Sequence, residues 1–213
     1  MKTWRDFHQG WTLRKAIKQG CKASMPNKID HKSGLLLVFP SDPALAKTIA
    51  LTVGQWLEDH KETNVRVIVP LKAMEVTKKL KRGTQTVSFE ESDFTRSGVP
   101  VRELRKRVSN VKANVAVLLS EEYDPFTETL FALVPSRLKA ALYHEARSSY
   151  ANLLVKTKEN HSKVKTVLFL LDSISTFAGN HVKLDADSDT AKRASINFSK
   201  KNEEKTQPVN KSE

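Results

Sequence analysis

Two short apolar runs, each ending in a polar turn that carries an Asp-Pro pair, constrain this chain more than any other feature. The first runs from Gly34 through Leu35, Leu36, Leu37, Val38 and Phe39, and is followed by Pro40-Ser41-Asp42-Pro43. The second runs from Val115 to Leu119 and leads through Ser120, Glu121, Glu122 and Tyr123 into Asp124-Pro125. A strand that is apolar at consecutive positions has no face for water, so it belongs inside a parallel sheet covered on both sides. Asp is a good N-cap and Pro suits the first helical position, so each run predicts a strand handing over to a helix.

The remaining patterning fits that start. Leu45, Ile49, Val53, Trp56 and Leu57 keep helical period as far as His60, and Val65 to Val69 forms a second strand ending at Pro70. Residues 72–82 predict a short basic helix stopped by Gly83, and Val87 and Phe89 mark a short edge strand. Val101, Leu104, Val108 and Val111 share one helical face. A helix from Phe126 to Val134, strands from Leu138 to Tyr143 and from Tyr150 to Val155, and a closing helix from Val164 to Ala178 complete the series. Strands alternating with helices predict a single α/β domain over residues 34–180. It should hold one doubly wound, mostly parallel, Rossmann-like sheet with helices on both faces. With strand order 3-2-1-4-5, the two strongest strands are neighbours where the order reverses. Ligands bind beyond the carboxyl ends of such a pair. That rule makes Ser41, Asp42, Ser120, Glu121, Glu122 and Asp124 the candidate binding residues, with Asp42 the candidate catalytic group. Two Asp-Pro helix caps would produce the same pattern with no chemistry attached.

The flanks differ in character. Residues 1–33 read as a basic, partly helical extension in which Trp4, Phe7 and Trp11 share a face, suited to docking on the chain's own domain or on a protein partner. Residues 181–213 read as a polar, disordered tail. The net charge of +12 is concentrated before residue 35 and between 61 and 113. There Lys78, Lys79, Lys81 and Arg82 fall on one predicted helix and Arg102, Arg105, Lys106 and Arg107 on the next. Such runs could contact nucleic acid or another anionic surface, or could be the solvated faces of amphipathic helices. Cys21 is the only cysteine, which excludes an internal disulfide and a cysteine-rich metal site. The histidines do not cluster, so no metal is expected. None of the seven glycines forms GxGxxG or GxxxxGK[ST], so no nucleotide cofactor is expected either. No apolar run approaches the roughly 20 residues that span a bilayer, and the first residues lack a signal-peptide core. The cytoplasm is the expected compartment.

The pattern from Gly34 to about Val155 resembles the N-terminal half of the family 9 glycosyltransferases, which include the lipopolysaccharide heptosyltransferases. Leu35–Pro70, strand–helix–strand closing on Val-Ile-Val-Pro, carries the likeness, as does the basic helix feeding a strand over Val101–Ser120. The chain is more similar to a small uncharacterised bacterial family built on the same half-Rossmann unit without a partner domain. Gly98-Val99-Pro100, Val115–Ser120 with Glu121-Glu122, Phe126–Val134 and Tyr150-Ala151-Asn152-Leu153-Leu154 carry that similarity. In the glycosyltransferases an Asp in the turn after the first strand acts as base and a second domain holds the sugar nucleotide. The resemblance places Asp42 near that base. Here Ser-Asp-Pro replaces a glycine-containing turn, and nothing after residue 178 is patterned to build a donor domain. The implied function is a non-enzymatic binding or scaffold module of glycosyltransferase-like descent. Two alternatives stand beside it: a basic RNA- or ribosome-associated accessory protein, and a degenerate glycosyltransferase acting with a partner.

Overall fold

Each strand is short, and the strands at the centre are buried on both faces. The computed structural model describes residues 34–60, 64–77, 80, 84–96, 98–157 and 162–177. The N-terminal extension, the polar tail and the side chains of Lys78, Lys79, Lys81 and Arg82 lie outside the described residues. In chain order the elements are β1 (Leu35–Val38), α1 (Pro43–Asp59), β2 (Val65–Pro70), a 3-10 turn (Leu71–Ala73) running into α2 (Met74–Thr77), and β3 (Gln85–Phe89). There follow α3 (Arg102–Ser109), β4 (Val115–Leu118), α4 (Pro125–Leu133), β5 (Leu138–Leu142), a 3-10 turn (Glu145–Ser149), β6 (Leu153–Val155) and α5 (Lys163–Phe177).

The strands form one parallel sheet in the order β3-β2-β1-β4-β5-β6. This is the expected doubly wound, Rossmann-like α/β arrangement. Every strand pair in it is parallel, and β6 is added at the edge beyond β5. β1 sits in register with both central neighbours, Val38 opposite Ile68 on one side and Leu118 on the other. Side chains alternate between faces with period two. Leu35, Leu37, Phe39, Val67 and Val117 pack under α1 and α5, while Leu36, Val38, Ile68, Ala116 and Leu118 pack under α3 and α4. The chain steps outward from β1 to β3, then crosses back to β4 and steps outward the other way. Crossovers of one hand therefore put α1 and α3 on opposite faces. α5, which follows the last strand, returns to the α1 face, where Trp56 Nε1 donates to Asp172 Oδ1 at 3.0 Å.

Two expectations change in detail. The strand expected from Tyr150 is confined to Leu153–Val155, because Tyr150 closes the 3-10 turn and is buried. Asn152 then bonds to β5 through its side chain, accepting from Lys139 N at 2.6 Å and donating to Arg137 O at 3.1 Å. The described part of the basic helix expected over 72–82 is only the 3-10 turn and the single helical turn Met74–Thr77. No helix among the described residues is long and apolar enough to cross a membrane.

Gly34 opens β1 with φ of +129°, and its carbonyl accepts from Asn114 N and Val115 N, tying the start of β1 to β4. A Cβ there would stand 2.8 Å from Arg66 Nη1. The backbone angle is the larger obstacle, since the guanidinium is the end of a flexible side chain. Gly34→Ala is expected to lower stability by about 1–3 kcal/mol in urea unfolding. Adding Arg66→Ala should restore little, because the strain lies in the backbone.

The outer half of the sheet is held by charge. Glu128 on α4, Arg147 in the turn before β6 and Tyr150 are buried together. Arg147 donates to Glu128 Oε1 through Nε at 2.8 Å and Nη2 at 2.6 Å, and Tyr150 donates its hydroxyl to Oε2 at 2.5 Å. Arg147 also donates to Leu142 O at 3.1 Å and Glu122 O at 3.0 Å, so one guanidinium joins α4, the end of β5 and the turn after β4. Burial pushes the Glu128 carboxyl above its ordinary range, and the Arg147 guanidinium and Tyr150 hydroxyl offset this only in part. Burial first, and then the Glu128 charge, push the Tyr150 hydroxyl up. Nearby, Lys139 Nζ lies buried and donates to Ala132 O at 2.7 Å near the end of α4. Arg147→Met leaves a buried carboxyl without its cation and is expected to cost about 3–5 kcal/mol in urea unfolding. Pairing it with Glu128→Leu should recover part of that loss, since no buried charge is then left alone.

Candidate binding cleft

Parallel packing brings the turns after β1, β2, β3 and β4 to one edge of the sheet, at the carboxyl ends of the strands. A cleft of about 350 Å³ opens there. Its floor is aromatic: Phe89 ends β3, Phe94 lies in the loop beyond, and Phe126 stands in the first turn of α4. The Phe89 and Phe94 rings meet edge-on with centroids 6.1 Å apart, and Phe94 and Phe126 lie 4.7 Å apart at 64°. Ser41 and Pro43 contribute from the turn after β1, and Pro70, Leu71 and Lys72 from the end of β2. Glu90, Glu91 and Ser92 form the lip beyond β3 and are exposed.

That lip is built by local hydrogen bonding. Glu90 N donates to Asp93 Oδ2 at 3.0 Å, and Ser92 Oγ donates to Glu90 Oε1 at 2.6 Å, which fixes one carboxylate in place. Phe94 and Pro100 form an antiparallel bridge, and Thr95 N donates to Val99 O at 2.8 Å around Gly98, whose φ of +75° suits glycine. Arg107 anchors the loop from α3, donating to Ser88 O at 3.1 Å and pairing with Asp93 at 3.2 Å. Arg107, read from the sequence as part of a basic surface, thus also serves the cleft wall. Arg102 and Lys106 on the same helix are exposed, and Arg105 is half-buried.

The predicted site residues separate. Ser41 lines the cleft. Asp42 is exposed and caps α1, its Oδ1 accepting from Ala44 N at 2.9 Å. Asp124 caps α4, accepting from Phe126 N at 3.2 Å, Thr127 N at 3.3 Å and Thr127 Oγ1 at 2.9 Å. Ser120 is buried and donates to Glu122 O at 2.7 Å. Glu122 pairs with Lys163 at 2.8 Å on the surface, and the Lys163 ammonium is held above its ordinary range by that carboxylate, with smaller contributions from Glu121 and Asp42. Asp42 and the acidic turn after β4 therefore share one electrostatic neighbourhood around Lys163. The cleft lies to the side of it, toward β2 and β3.

The sequence reading missed the aromatic floor. Its signal was three phenylalanines, Phe89 at the end of β3, Phe94 in the loop beyond and Phe126 at the start of α4. Beyond β4, Tyr123 stacks on His144 with centroids 5.1 Å apart, and His144 Nδ1 accepts from Ala146 N at 3.3 Å. Burial, and then the Glu128 charge, push the Tyr123 hydroxyl up. No group of three or more His, Cys, Asp or Glu among the described residues is placed to hold a metal ion. The sequence matches no family model and no curated protein.

Because Asn caps helices as well as Asp does, amide substitution separates capping from acid–base chemistry. Asp42→Ala should lower stability by about 1 kcal/mol, and Asp124→Ala by up to about 2 kcal/mol because three donors lose their acceptor. Asp42→Asn and Asp124→Asn should melt close to the parent chain in thermal unfolding.

Proposed function

We propose that this chain is a small-molecule-binding module of glycosyltransferase-like descent, acting in the cytoplasm, whose ligand seats in the cleft beyond β1, β2 and β3. The observation that carries this reading is the concave aromatic floor of Phe89, Phe94 and Phe126 with a polar lip. Pockets of this kind, mostly apolar with a few convergent polar groups, are what small ligands require. A volume of about 350 Å³ suits a ligand of one or two rings. The position also follows the rule for open α/β sheets, beyond the strands' carboxyl ends.

The two carboxylates best placed by sequence are engaged as helix caps. Capping leaves a carboxylate with free lone pairs, so position decides: a general base must stand within reach of the proton it takes. Asp42 and Asp124 stand outside the cleft lining, which favours binding without catalysis. The nucleic-acid reading is weakened by Arg107, whose guanidinium is bound to Asp93 and to the β3 edge.

A library of one- and two-ring compounds, screened against the full chain by thermal shift, tests this reading. A ligand binding only the folded state raises the melting temperature with its concentration. Hits are expected to lose binding in Ser41→Trp, which fills the cleft from the β1 turn while leaving the core intact. Hits that bind Ser41→Trp unchanged would place the ligand elsewhere.

A further inference from the structure

We infer that the cleft selects a ring-bearing ligand that carries a cationic amino group, over an anionic one with the same ring. This deepens the binding-module reading and rests on it.

The floor is aromatic, with Phe89 and Phe94 buried and Phe126 partly so, and it recognises the ligand's apolar body without setting a charge preference. Charge selection falls to the lip. Glu90 and Glu91 stand there together, and Ser92 holds the Glu90 carboxylate in one position. Lys72 is the cation among the lining residues, leaving two carboxylates against one ammonium.

Donors that would welcome an anion are scarce at the wall. Pro43 and Pro70 both line the cleft and neither has an N–H. The N-terminus of α1, which in many α/β folds holds a phosphate, already has a carboxylate on it: Asp42 Oδ1 accepts from Ala44 N. An incoming phosphate or carboxylate in the cleft would meet Glu90 and Glu91, with no N–H from Pro43 or Pro70 in compensation. An ammonium set over the phenyl floor would meet carboxylates it can pair with.

Indole, tryptamine and indole-3-acetate share a ring system and differ in charge, so they make a matched test. Each is titrated into the uniformly 15N-labelled full chain and followed through the amides of residues 89–94 and 126. Tryptamine is expected to bind about tenfold more tightly than indole-3-acetate, with indole between them. The double substitution Glu90→Gln and Glu91→Gln should bring tryptamine and indole-3-acetate to similar affinity while indole is unchanged. Unaltered indole binding shows in the same experiment that the cleft is still folded. Equal affinities in the parent chain, or tighter binding of indole-3-acetate, would overturn the charge selection and leave the binding reading standing. If none of the three perturbs those amides and no compound from the ring library does so either, the binding reading falls with it.

Discussion

β1 lies between β2 and β4 with helices on both faces, and it has nowhere to place a polar side chain. All four of its residues are fully buried, and their alternation sends Leu35 and Leu37 to one face and Leu36 and Val38 to the other. The helices follow from this constraint. A strand apolar on both faces must be covered twice, and parallel pairing requires crossovers long enough to supply the cover. The same pairing fixes where turns accumulate. Since β1, β2, β3 and β4 all run the same way, their exits share one edge. Polar turn residues collect there because β1 and β4 are apolar at every position.

The outer half of the sheet obeys a different logic. β5 and β6 are joined by a connection too short to carry a covering helix of ordinary length. Arg147 compensates by reaching from that connection to α4, β5 and the turn after β4 at once. A buried ion pair is weak evidence of net stability, because desolvating both charges offsets much of their attraction. Its structural value lies in specificity: the guanidinium's planar donors are met by one carboxylate oxygen and two backbone carbonyls in fixed directions. Moving the connection that carries Arg147 away from α4 and β5 would leave those donors without acceptors.

Legibility in the sequence followed locality. Strands apolar at every position, the Asp-Pro helix starts and the period of Val101, Leu104 and Val108 are written within a few adjacent residues, and the sheet order follows from them by general rules. Glu128 and Arg147 are 19 residues apart and belong to segments whose own periodicity says nothing of each other. The clue was the misfit of each residue in its setting: Glu128 within Phe-Thr-Glu-Thr-Leu-Phe, and Lys139 within Leu-Lys-Ala-Ala-Leu. The cleft was hidden for a similar reason. Phe89 ends β3, Phe94 lies in the loop after it and Phe126 opens α4, so their convergence depends on the placement of β3 beside β2 and of α4 beyond β4. The sequence places the crevice beyond β1 and β4, whereas the cleft lies toward β2 and β3 and is furnished largely by residues at and beyond the end of β3, which reads from sequence as an ordinary edge strand.

The two Asp-Pro turns show how a local solution limits chemistry at that edge. A helix start presents unpaired N–H groups, and these can be satisfied by the chain itself or by a bound anion. Proline removes one such donor, and the Asp carboxylate takes Ala44 N at α1 and Phe126 N and Thr127 N at α4, so both helices arrive at the edge partly satisfied. What such a start gains in independence from a ligand it gives up in affinity for phosphate. In this chain both helices that face the reversal of strand order have taken that course. Recognition at the edge is then left to groups that are not engaged in holding the backbone. Those are the phenyl rings of the floor and the Glu91 carboxylate, while the Glu90 carboxylate is shared with the turn it caps; under the proposed reading they suit a ligand with an apolar ring and little negative charge.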